Sequence, residues 1–137
     1  MKKLKCAISE VELIENDVLH IDIEREKSFE IEDFQELKEA AKKIGNGKRF
    51  YNLITVGEFT LPSREAREAS CSHEGSEFKK ADAFVIKSLP QKIIANFMIK
   101  VNRPTVPTKY FDSVEAAKAW ISSLKSKESR KLMLESF

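Results

Sequence analysis

Cysteine, glycine, proline and tryptophan are all scarce in this sequence of 137 residues, which holds two, four, four and one of them. Each shortage removes a class of protein. Cys6 and Cys71 are too few for a disulfide-stapled scaffold and read as reduced thiols, with a cytoplasmic location expected. The start "MKKLKC" puts no apolar run between its lysines and Cys6, so a signal peptide is not expected. A membrane helix needs about 20 apolar residues, and the longest apolar region, "IIANFMIKV", is shorter and contains Lys100. With so few glycines there is no phosphate-cradling loop, and Gly45-Asn46-Gly47 reads as a helix stop. The two histidines, His20 and His73, stand apart; even with Cys71 they do not make the three or four ligands of a metal site. No serine–histidine–acid arrangement is defined, and no pair stands out among 22 carboxylates. Neither a metal, a cofactor nor a catalytic residue is therefore expected, and the chain reads as a non-enzyme.

What is present is an ordinary globular composition, 42% hydrophobic and 34% charged, in a chain long enough to bury a core without staples. The net charge of +2 gives no reason to expect nucleic acid as a partner. Its distribution is uneven: residues 1–40 carry 6 basic against 12 acidic side chains, and residues 41–137 carry 18 against 10. Such a dipole either orients a charged partner or membrane surface or is two solvated faces of opposite bias.

The hydrophobic period predicts an α/β fold. "VELIE" and "VLHIDIE" flank Asn16-Asp17 as a β-hairpin, with Leu19, Ile21 and Ile23 facing the core. Ile31, Phe34, Leu37, Ala40, Ala41 and Ile44 then line one face of a helix whose acids lie early and whose lysines lie late. "RFYNLITV" reads as a buried strand, Ser63 to Cys71 as a short helix, "ADAFVIKS" as a strand and "LPQKIIANFMIKVN" as a third helix. "TKYF" is a last short strand. "DSVEAAKAWISSL" is a last helix, with Asp112 and Glu115 as a capping box and a core stripe of Val114, Ala117, Trp120, Ile121 and Leu124. An opening hairpin followed by alternating helices and strands implies right-handed βαβ crossovers, hence a mixed, mainly parallel sheet of about five strands with four helices. One domain is expected over residues 1–124. The charged tail at 125–137 extends the last helix, frays or reaches a neighbouring chain.

The hairpin, "FYNLITVGEF", "SREAREA", "AFVIKSLPQKIIANFMIKVNRPTVPTKYF" and "EAAKAWI" together resemble the SpoIIAA-like, STAS-type family, and within it the small stand-alone bacterial proteins of unassigned function. The resemblance spans about Cys6 to Leu124 and implies a SpoIIAA-like fold. In the family's anti-sigma-factor antagonists the loop after the third strand reads Asp-Ser-Ser/Thr-Gly, and its serine is phosphorylated by a partner kinase. Here that stretch is "GEFTLPSREA", with Thr60 and Ser63 as the only hydroxyls and the motif lost. What the resemblance implies is a regulatory module that binds another protein through the loop at 57–63 and the helix behind it. Thr60, Ser63, Arg64 and Arg67 are then the candidate partner surface.

Two local features have competing readings. Ser63 at a helix start caps a backbone N–H, or takes a phosphate beside Arg64 and Arg67. In the third helix Leu89, Ile93, Ile94, Phe97, Met98 and Val101 cover an arc of about 180°, wider than one sheet contact needs. Ala95 and Ile99 extend it, leaving a stripe of Lys92, Asn96 and Lys100. The surplus is internal packing against the tail's "LMLESF", a dimer contact, or an apolar-ligand or membrane contact. Lys92, Asn96, Phe97, Met98, Ile99 and Lys100 are its candidate residues.

Overall fold

The computed structural model describes residues 2–136, and its first strands already give the sheet two unlike faces. Strand β1 (Lys3–Lys5) pairs antiparallel with β2 (Ser9–Glu15), and β2 with β3 (Val18–Ile23) across the Asn16-Asp17 turn. Register sets Leu4 opposite Val11 and Val11 opposite Ile21, while Lys3 faces Glu12 and Glu12 faces His20. The period of two therefore sends Leu4, Val11, Leu19, Ile21 and Ile23 to one side and charged residues to the other.

The chain leaves β3 through a two-residue strand, β4 (Ser28–Phe29), and enters helix α1 (Ile31–Gly45). Leu37, Ala40 and Ala41 are its buried residues, with Phe34 and Ile44 packed beside them. Gly45 is still helical. The stop is made by Asn46 and Gly47, both left-handed at φ 51° and 84°. Strand β5 (Phe50–Val56) returns parallel to β3, and β6 (Leu61–Pro62) pairs with β4 as a small second sheet. Helix α2 (Arg64–Cys71) follows, then β7 (Lys79–Val85) parallel to β5, α3 (Leu89–Phe97), one π-helical turn at Met98–Asn102, β8 (Thr108–Phe111) parallel to β7, and α4 (Val114–Glu135).

The main sheet runs β1-β2-β3-β5-β7-β8, six strands where the pattern predicts about five. The strand missed there is β1, whose three residues are too short for a period to register; β4 and β6 have two each. Helices α1, α2 and α3 cover the apolar face, and α4 alone packs on the other.

Helix α4 holds Ala117 and Ile121 against Val18, Tyr51, Leu53, Ala81, Ala83 and Val85. Its N-cap is Ser113, not Asp112: the Ser113 hydroxyl accepts from Ala116 N at 3.2 Å. Asp112 instead meets Lys92 at 3.1 Å. Residues 125–135 continue the helix, and Lys125 ties it back to Glu15 and Asp17, each at 2.7 Å. Tyr51 hydroxyl and Lys80 both donate to Glu128, which holds that carboxyl below its usual range, hydrogen bonds first and charge after. Residues 125–136 of the tail therefore lie on the far face and do not cover α3, and Phe137 lies outside the described residues. Leu132, Met133 and Leu134 at its tip are exposed. Among the described residues no helix is long and apolar enough to cross a membrane.

Candidate functional site

Beneath α3, on the apolar face of the sheet, lies a cavity of about 140 Å³. Ile21, Ile54 and Phe84 form its floor, Phe29, Leu37 and Phe78 its walls, and Ile94, Ala95, Met98 and Ile99 its roof. The space follows from side-chain size. Helix α2 turns only Ala66 and Cys71 fully inward, and α1 presents Ala41 at the same level, so no large side chain reaches the centre. A cavity of about 150 Å³ lined by leucine, isoleucine and phenylalanine is roomy enough for a benzene molecule and stays dry without one.

One polar cluster breaks this lining. Lys79 Nζ donates to Asp82 Oδ2 at 2.6 Å, to Ser70 O at 2.8 Å and to Ser70 Oγ at 3.2 Å, which uses all three of its N–H bonds. Asn52 Nδ2 donates to Asp82 Oδ1 at 2.9 Å. Both carboxylate oxygens are thus engaged, and both members of the ion pair are buried. Asn52 Oδ1 is left over: buried and with no partner, on a residue that lines the cavity. Turning the amide around would set that oxygen against the Asp82 carboxylate, so the present orientation is the one the charges demand. Arg67 Nε is likewise buried and without a partner, although Nη1 donates to Pro62 O at 3.0 Å and the guanidinium lies 5.6 Å over the Phe97 ring.

One buried residue pins the roof to the loop after β5. Gln91, only 4% exposed, donates from Nε2 to Gly57 O at 2.8 Å and to Thr60 O at 3.0 Å, coupling α3 to the loop after β5. At the other end α3 opens into the π turn, closed by Arg103 N donating to Met98 O at 3.0 Å. Such turns hold helices loosely and recur at functional places.

The residues expected to form a partner surface divide. Thr60 is 1% exposed; its hydroxyl donates to Glu24 O and accepts from Lys27 N, so it locks the loop from inside and offers nothing to a partner. Ser63 caps α2 by accepting from Ala66 N at 3.2 Å. Ser63→Ala is expected to cost about 1 kcal/mol in thermal or urea unfolding while leaving α2 in place. Arg64 is exposed and pairs with Glu68, whereas Arg67 turns toward the cavity rim. The same corner shows an exposed Phe59 held left-handed at φ 65°, which no sequence signal announced.

The six α3 candidates divide too. Met98 is buried and, with Ile99, roofs the cavity. Lys92, Asn96, Phe97 and Lys100 look outward, Asn96 Oδ1 accepting from the Tyr110 hydroxyl at 3.1 Å. Asn52, Lys79 and Asp82 were missed by the sequence reading. Their signal is a polar residue in the middle of a strand otherwise apolar, as in "RFYNLITV" and "KKADAFV". Burial raises the pKa of both Cys6 and Cys71, which makes them poor thiolates. Among the described residues no cluster of His, Cys, Asp and Glu is placed to hold a metal ion.

No curated protein matches this chain. The crystal structure of an uncharacterized protein of the DUF3478 family with a SpoIIAA-like fold, from Shewanella loihica PV-4, matches it with a TM-score of 0.55 at 16% identity, covering 87% of this chain and 93% of that one. The fold is therefore SpoIIAA-like, as the sequence resemblance implied. A family model described as a domain of unknown function, DUF7793, matches residues 13–125. The chain belongs to that family, DUF7793.

Proposed function

We propose that this chain is a non-catalytic binding module that takes a compact apolar molecule, with one hydrogen-bond donor, into the cavity beneath α3. The observation that carries it is Asn52 Oδ1, a buried acceptor without a partner on a residue of a largely apolar lining, beside the Lys79–Asp82 pair. Leaving such a group unsatisfied costs about 1–3 kcal/mol. A ligand hydroxyl or N–H returns that energy, while its apolar body gains the usual burial of about 25 cal/mol per Å². Gln91 couples the roof to the Gly57–Ser63 corner, so an occupant that shifts α3 alters what Ser63, Arg64 and Phe59 present outside. A regulatory protein partner reading that corner is the second half of the proposal, and a cytoplasmic location suits it.

Toluene and phenol test it, since they have nearly the same shape and differ by the donor. Chemical-shift perturbation should place both in the cavity, at Ile54, Phe84 and Met98, with phenol bound at least as tightly as toluene, because a hydrogen bond of roughly 1 kcal/mol offsets the burial of the methyl it lacks. Asn52→Leu should weaken phenol about fivefold relative to toluene and keep toluene. No perturbation of these residues by either probe at millimolar concentration would end the proposal.

A further inference from the structure

Among the described residues, the outward side of α3 and the π turn after it carries four of the eight exposed large hydrophobic side chains. Leu89, Ile93, Phe97 and Val101 are 69%, 59%, 45% and 58% exposed, and none of them lines the cavity. At about 100° per residue, Leu89, Ile93 and Phe97 fall within an arc of about 80° opposite the buried Gln91 and Met98. Lys92, Asn96 and Lys100 run alongside them. The row is therefore an apolar strip bordered by lysines on an exposed helix, and not the back of a core stripe.

Charge decides what fits it. From Ala83 to Phe111 the chain carries five cations, Lys87, Lys92, Lys100, Arg103 and Lys109, and no acid. The carboxylates around this stretch are matched: Asp112 pairs with Lys92 at 3.1 Å, Asp82 with Lys79, and Glu58 in the loop after β5 with Arg25 at 3.7 Å, while on adjacent α2 Glu65 and Glu68 are balanced by Arg64 and Arg67. A second copy packed face to face through α3 would bring both sets of cations together, because a two-fold interface joins a patch to itself. A second exposed apolar spot, Leu132 to Leu134, is flanked by Lys127, Arg130 and Lys131 against Glu135 alone, and so would meet α3 with the same net sign.

We infer that α3 docks on an anionic membrane surface, its apolar row entering the headgroup boundary and its lysines meeting lipid phosphates. Amphipathic helices with leucine, isoleucine and phenylalanine beside lysines bind in this way, and each nearby lysine adds to the attraction of an acidic leaflet. The inference goes beyond the cavity reading and does not require the cavity to be filled. The same helix roofs the cavity, so docking would place the roof against lipid.

The full-length chain is mixed with vesicles of phosphatidylcholine alone and with 30 mol% phosphatidylglycerol (composition chosen for the test), and the bound fraction is read by sedimentation. Binding to the anionic vesicles should exceed binding to the neutral ones by tenfold or more and weaken with salt. Leu89→Ser/Ile93→Ser and Lys92→Glu/Lys100→Glu should each reduce it at least tenfold. Neither pair touches the cavity lining, so phenol binding should persist in both and a failure here leaves the cavity proposal standing. Equal partition into the two vesicle types, no binding at low salt, or binding unchanged in both variants would overturn the inference. So would a solution dimer that either variant dissolves.

Discussion

Asp82→Ala should lower the midpoint of thermal unfolding by about 10–20 °C, among the largest effects of any single side-chain truncation in this protein. Asp82 is 3% exposed and holds Lys79 Nζ at 2.6 Å and Asn52 Nδ2 at 2.9 Å. Removing it leaves an ammonium buried with only the carbonyl and hydroxyl of Ser70, and an amide with neither end satisfied. Breaking one side of a buried pair costs about 3–5 kcal/mol, and in a domain of this size each kcal/mol moves the midpoint by about 3–5 °C. Lys79→Met/Asp82→Leu should recover more than half of the loss, because a matched apolar replacement avoids the stranded charge and leaves only Asn52 unsatisfied. A midpoint for Asp82→Ala within about 3 °C of wild type would mean that water reaches the ammonium, and that the cavity is wetter than its lining implies. The recovery in the double variant also bears on function. If the pair adds little net stability, its presence is better explained by the way it orients Asn52 toward the cavity.

The fold was legible where periods were long. Five of the six apolar positions read on α1 (Phe34, Leu37, Ala40, Ala41 and Ile44) and the alternation of Leu19, Ile21 and Ile23 lie in the core as their periods require, while Ile31 at the helix start stays outside it. On the opposite side of β3 Val18 is also buried, because α4 covers that end of the second face, while His20 and Asp22 lie beyond its reach and bond with Thr55. Short elements carry no period, so β1, β4 and β6 were invisible. Asp112 and Ser113 are both good caps, and sequence alone does not say which one the preceding strand will leave in extended backbone. The site was legible only in part. Helix α3 shows its surplus apolar surface in sequence, but whether that surface meets the tail, a cavity or solvent depends on which sheet face α4 takes. Small residues on α1 and α2 leave a hole only when brought to the same level, and spacing does not say that they are. Asn52 and Asp82 were each readable as oddities; their contact comes from β5–β7 register, which places Asn52 opposite Asp82.

Gly57→Ala should cost about 2–4 kcal/mol and should loosen α3 as well. The residue sits where β3 and β5 leave the sheet side by side. A Cβ there would lie 2.3 Å from Arg25 N, 2.5 Å from Arg25 Cα and 2.5 Å from Glu24 C, all of them backbone atoms. No rotamer change can relieve such a contact, so the two strand exits must part. Gly57 N donates to Ile23 O at 2.8 Å, and Gly57 O accepts from Gln91 at 2.8 Å; parting the exits strains the first bond and withdraws an acceptor from the residue that pins the roof. Gly47→Ala is the control: nothing lies within 4 Å of its Cβ, and only its φ of 84° is unfavourable, worth about 1 kcal/mol. Amide exchange should therefore accelerate in α3 for Gly57→Ala and stay at the wild-type rate there for Gly47→Ala. If both variants lose the same stability, with α3 equally protected in each, then the loop at 57–60 does not hold the roof. In that case Gln91 would only cap α3, where its Oε1 accepts from Ser88 N at 3.3 Å, and the proposed link between the cavity and the outer corner would have no physical carrier.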